Sequence, residues 1–167
     1  MSRPDLVVVG IPGSGKSAVA AAVARTRGVP LVEVDELVEA ELGAPAEEVF
    51  ASGEADYRQV EERVSLAVLQ RPGVVALASG AIDSSAVREA LIGLRVAWLR
   101  TSVATATRRL GMSSLGMEAL IAIRNRMDAL LAQRAPCYAS VATIVVDTDR
   151  LSVEEVAAAV VERGAEQ

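Results

Sequence analysis

A chain of 167 residues, 51% of them apolar, is long enough for one hydrophobic core and short for two. Its net charge of −5 and its 2% aromatic content argue against a basic stripe or a base-stacking platform, and so against nucleic acid as a partner. Cys137 is the only cysteine and there is no histidine, which excludes an internal disulfide and zinc or histidine chemistry and leaves proton transfer to carboxylates, lysine, tyrosine or solvent.

The apolar run Leu6–Val9 reads as a first strand, and Gly10-Ile11-Pro12-Gly13-Ser14-Gly15-Lys16-Ser17 follows it directly. This is a full G-x-x-x-x-G-K-[ST] phosphate-binding loop. Its glycines let the chain curl until successive backbone N–H groups face phosphate oxygens. Lys16 supplies a cation for the β- and γ-phosphates, and Ser17 a hydroxyl for Mg²⁺. The alanine-rich stretch from Ala18 to Arg27 reads as a helix that adds its N-terminal partial charge to the same anion site. Gly13, Ser14, Gly15, Lys16, Ser17 and Ala18 are therefore expected to bind nucleotide, with Lys16 catalytic and solvent-facing until nucleotide arrives.

Leu31–Val34 is the second strand, and a helix is expected over Asp35–Leu42. If the strand runs on, Glu33 and Asp35 share one face. Acids at that strand end can hold Mg²⁺, assigned here to Ser17 with Glu33, and can receive a hydroxyl proton, assigned to Asp35 as a second catalytic residue. The alternative is that Asp35 only caps the following helix. Further on, helices are predicted over Tyr57–Leu69, Ser85–Leu91, Val103–Leu110, Glu118–Arg134 and Val153–Arg163. The last opens on a capping box, Ser152-x-x-Glu155. Strands are predicted over Val74–Ala78, Val96–Leu99 and Thr143–Val146.

These strands lack polar alternation, as a parallel sheet covered on both faces requires. The fold class is therefore α/β: a three-layer α/β/α sandwich of P-loop NTPase type with a five-stranded, mainly parallel sheet. One kinase domain over residues 1–167 is expected, with a lid segment at about 110–126. The first residues show no charged-then-apolar signal pattern, and no run approaches the roughly 20 apolar residues that cross a bilayer. A cytoplasmic protein without a membrane partner is expected.

The block Phe50-Ala51-Ser52-Gly53-Glu54-Ala55-Asp56-Tyr57-Arg58-Gln59-Val60-Glu61, with the P-loop, Asp35 and Arg134-Ala135-Pro136-Cys137-Tyr138, resembles the shikimate kinase family of nucleoside-monophosphate-kinase-like P-loop proteins. The resemblance runs from about Leu6 to Asp147. It implies an ATP- and Mg²⁺-dependent kinase of aromatic amino acid biosynthesis that phosphorylates a hydroxyl of shikimate or a related small hydroxylated acid. Arg58 and Arg134 would grip the acceptor carboxylate, Gly80 would line its pocket, Asp35 would meet the reacting hydroxyl, and Arg109 would lie against adenine. Paired guanidinium forks suit a carboxylate. Glu61, one turn from Arg58, would hold that arginine by an i, i+3 contact. For Arg109, the charge at a helix C-terminus is the alternative.

Three features depart from the family pattern, all on the acceptor side. Its glycine triplet after the third strand reads Ala78-Ser79-Gly80, its strand-two aspartate is Glu33, and Gly111-Met112-Ser113-Ser114-Leu115-Gly116-Met117 lacks the basic residue of the lid. Arg124 and Arg126 are the nearest cations beyond it. Two alternatives follow: a paralogue acting on a different sugar-like alcohol, or a catalytically weak nucleotide-binding regulatory module. A monomer is expected, with a dimer through the apolar lid as the alternative.

Overall fold

The computed structural model describes residues 2–165. Five strands, β1 (Leu6–Val9), β2 (Leu31–Glu33), β3 (Val74–Ala76), β4 (Val96–Arg100) and β5 (Ile144–Asp147), form one sheet in the order β2-β3-β1-β4-β5. Every pairing is parallel. The sheet is thus parallel throughout, as its uniformly apolar strands require.

Strand alternation sorts the core into two layers. Val7 and Val9 point to one face, with Val75, Leu77, Val96 and Trp98. That face is covered by α2 (Val34–Leu42), α4 (Glu54–Val68), α5 (Ser85–Leu91), α6 (Val103–Arg109) and α7 (Met117–Val141). Leu6 and Val8 point the other way, with Val74, Ala76, Ala97 and Leu99, under α1 (Lys16–Arg27) and α8 (Val153–Ala165). The capping box that opens α8 is formed: the Ser152 hydroxyl accepts from the Glu155 amide, and the Glu155 carboxylate from the Ser152 amide at 2.7 Å.

Apart from end shifts such as α4 opening at Glu54 instead of Tyr57 and β3 ending at Ala76 instead of Ala78, three places differ from the expectation. β2 stops at Glu33 and the helix begins at Val34, so strand alternation does not carry Glu33 and Asp35 to one face. A short helix, α3 (Ala46–Ser52), fills a stretch in which no element was expected; it buries no residue of its own, and over two turns its apolar Ala46, Val49 and Phe50 are too few to register as a helical period. The final difference lies in α7, which starts at Met117 and runs past Pro136 to Val141. Proline removes the bond to the carbonyl four residues back. Here Ala132 and Pro136 lie on the exposed side, where water meets that carbonyl, while Arg134, Tyr138 and Val141 are buried opposite. From Met117 onward the expected lid is therefore the first turns of α7.

A single-turn 3₁₀ segment, Ala81–Asp83, carries the chain from β3 into α5. It is anchored at Ser84, whose hydroxyl accepts from the Val87 amide as the α5 N-cap and donates to Glu62 of α4 at 2.6 Å. Ser84→Ala is expected to cost about 1 kcal/mol of stability in urea denaturation. An unchanged midpoint would mean that this anchor does not hold the turn.

Candidate active site

A cleft of about 920 Å³ opens at the carboxyl ends of β1, β2 and β3, lined by the P-loop, Asp35, α3, the start of α4 and Arg134. Its donor half is the loop after β1. Gly13 and Gly15 take φ of 80° and 92°, a left-handed region that other residues rarely adopt. α1 then begins at Lys16 with no side-chain cap and no acid in its first turn, leaving its first amides open to an anion. The Ser14 hydroxyl is buried without a partner. Ser17 donates to Glu33 at 3.0 Å, so the two groups assigned to Mg²⁺ already meet. Burial, the largest influence on it, holds Glu33 above its ordinary pKa.

Lys16 departs from expectation. It is only 9% exposed, and its ammonium donates to the Gly10 carbonyl at 3.0 Å, the Ile11 carbonyl at 3.3 Å and the Ser79 hydroxyl at 2.7 Å. The lysine folds back under the loop because the chain after β3 offers a third acceptor. Burial lowers its pKa to about 8, against the favourable charge of Asp35.

Asp35 sits in the first turn of α2, where Glu33 is the N-cap and makes no side-chain cap bond. A capping role for Asp35 is thereby excluded. Its carboxyl lines the cleft, where desolvation raises its pKa and the Lys16 charge opposes the rise. A carboxylate tuned upward is better matched to taking a hydroxyl proton near neutral pH.

The acceptor half holds two arginines, each already paired. Arg58 donates to Glu61 at 2.8 Å, the i, i+3 contact expected, and lies over the rings of Phe50 and Tyr57 at 5.2 and 5.7 Å. Gly80 lies beside it: a β-carbon there would meet the Arg58 guanidinium, so a larger residue would push that side chain from its bond with Glu61. Arg134, 4% exposed, sends Nε and Nη2 to the two oxygens of Asp83 at 3.0 and 2.8 Å. Asp83 was not foreseen, since it stands 51 residues away in an irregular turn. Tyr138 donates to the Ser79 carbonyl at 3.0 Å. Phe50, Ala46 and Ala51 give α3 its place as the apolar wall of this half.

Arg109 closes the donor side as the last residue of α6, its Nη1 donating to the Ser14 carbonyl and its Nη2 to the Thr148 carbonyl at 2.8 Å. It ties the P-loop to the chain after β5 while lining the cleft. Arg124 and Arg126 lie exposed on α7 and line no part of the cleft. Its cations are Lys16, Arg58, Arg109 and Arg134.

A family model for shikimate kinase matches residues 12–164. The chain belongs to the shikimate kinase family. Among curated members, the shikimate kinases of Mycobacterium avium (strain 104) and Mycobacterium tuberculosis (strain ATCC 25177 / H37Ra) are each 41% identical over 152 residues, covering 88% of this chain and 85% of theirs. Solved structures share the fold. Shikimate kinase from Acinetobacter baumannii in complex with shikimate superposes with a TM-score of 0.80 at 23% identity, over 97% of this chain and 92% of that one. A gluconokinase from Sinorhizobium meliloti gives 0.59 at 22%, over 98% and 93%. As a member of the shikimate kinase family, the protein is a phosphotransferase with an alcohol acceptor.

The two acceptor-side arginines differ in burial, with side chains 31% and 5% exposed. Arg134→Ala removes a buried, doubly bonded guanidinium, while the Asp83 left behind is 30% exposed, and is expected to cost about 2 kcal/mol in thermal or urea unfolding, whereas Arg58→Ala costs about 1 kcal/mol. Equal losses would contradict the burial of the Arg134 guanidinium.

Proposed function

We propose that this protein transfers the γ-phosphate of ATP to a hydroxyl of shikimate or a closely related small hydroxylated acid, as a single cytoplasmic kinase unit of residues 1–167. The observation that carries the reading is the cleft itself: an open phosphate-binding loop with Lys16, faced across one cavity by Asp35, Arg58 and Arg134. The match to shikimate kinases over 88% of the chain supports the acceptor class.

The residues present fit a magnesium nucleotide. Gly13, Ser14, Gly15, Lys16, Ser17 and Ala18 hold the phosphates, the orphaned Ser14 hydroxyl gaining a partner there, and Arg109 borders the base. Ser17 and Glu33 hold Mg²⁺, directly or through water, which screens phosphate charge when bound. Among the described residues no three acidic or cysteine side chains cluster as a metal site, so phosphate and water oxygens supply the remaining ligands.

On the other side, Arg58 and Arg134 orient the acceptor carboxylate through donors not engaged by Glu61 and Asp83, and Gly80 and Phe50 bound its ring. The acceptor hydroxyl oxygen forms a bond to the γ-phosphorus while the bond from that phosphorus to the bridging oxygen of ADP breaks. Asp35 takes the hydroxyl proton, and Lys16 balances charge on the transferring group. The partner is thus a small molecule and the protein acts as a monomer. Among the described residues no helix is long and apolar enough to cross a membrane.

Coupled ADP release tests the reading: addition of shikimate should stimulate it, and release indifferent to shikimate but stimulated by a neutral polyol would replace the acceptor. Asp35→Asn is expected to lower kcat by roughly a hundredfold or more while ATP affinity changes little, because the acid serves the acceptor oxygen. Near-normal kcat in that variant would remove Asp35 from proton transfer.

A further inference from the structure

An ammonium has three N–H donors. In Lys16 all three are spent inside the protein, on the carbonyls of Gly10 and Ile11 and on the Ser79 hydroxyl. Two of these acceptors belong to the loop that Lys16 itself closes. The third and shortest contact comes from the chain after β3, 63 residues away.

Ser79 is not a loose surface hydroxyl. Its carbonyl accepts from Tyr138, which is 1% exposed and stacked on Trp98 at 5.8 Å. The Ser79 backbone is therefore held by Tyr138, independently of Lys16. A phosphate that recruits Lys16 has to replace at least one of three existing hydrogen bonds, and the Ser79 contact is the one not built into the phosphate loop.

Resting on the nucleotide-binding reading above, we propose that Ser79 is a positioning residue that latches Lys16 in a withdrawn setting before nucleotide binds. The nucleotide breaks this latch when it draws the lysine onto its phosphates. The hydroxyl thus lowers nucleotide affinity by stabilising the empty loop.

The test is calorimetric titration of a non-hydrolysable ATP analogue with Mg²⁺ into wild type, S79A, S79G, S79T, K16M and K16M/S79A. Loss of a hydrogen bond made only in the empty state should tighten binding by roughly three- to tenfold in S79A and S79G, while S79T, which keeps the hydroxyl, stays within about twofold of wild type. In the K16M background, S79A should change nothing. Unchanged or weaker binding in folded S79A and S79G overturns the latch, as does an equal gain when Lys16 is absent. A wild type that binds no nucleotide overturns the nucleotide-binding reading itself, and the two failures are thereby distinguished.

Discussion

The structure depends on keeping one positive charge, that of Lys16, inside a wall of protein. A buried ammonium is tolerated only when hydrogen-bonded and faced by opposite charge. The loop carbonyls supply two bonds, Ser79 supplies the third, and the charges of Asp35 and Glu33 act on it from the neighbouring strand end. All of these groups meet at the mouth formed by β1, β2 and β3. The parallel order β2-β3-β1 delivers all three carboxyl ends there. Donor and acceptor halves are thus joined through a single side chain.

The acceptor half follows a different rule. Each arginine is aimed by a carboxylate on a rigid element: Arg58 by Glu61 on α4, and Arg134 by Asp83 from the turn that Ser84 anchors. Pre-pairing fixes the guanidinium planes and lowers the net positive charge of this half of the cleft. Phe50 and Tyr57, packed edge to face at 5.6 Å, flank Arg58. The segment between α6 and α7 adds no cation to this cleft, and its side chains Leu110 and Leu115 stand 43% and 42% exposed.

Local chemistry was legible in the sequence, and distant chemistry was not. The P-loop, all five strands and the Arg58–Glu61 contact are written in short spacings, because dihedral demand, burial on both faces and one helical turn act within a few residues. α3 was missed since a seven-residue helix is too short for its apolar Ala46, Val49 and Phe50 to stand out as a period. α7 was cut short at Pro136 because the cost of proline depends on which side of the helix meets water, a tertiary fact. Lys16 was expected in solvent, and Asp83 was not foreseen. Ser79 entered the sequence argument only as a break in a glycine triplet. Its contact with Lys16, like that of Asp83 with Arg134, joins segments more than 50 residues apart through irregular turns, where no periodicity registers.

The measurement that bears most directly on the central claim is the Lys16 side-chain pKa, read by NMR titration of its labelled ε-carbon with and without a magnesium-bound ATP analogue. Burial, opposed by the charges of Asp35 and Glu33, predicts a midpoint at about 8 in the free protein. Phosphate charge should move it upward on binding, so that nucleotide takes up a proton near pH 8 to 9, an order-of-magnitude window set by those two states. A free-protein midpoint at the ordinary lysine value, unmoved by nucleotide, would contradict the account of a buried charge that joins the two halves of the cleft.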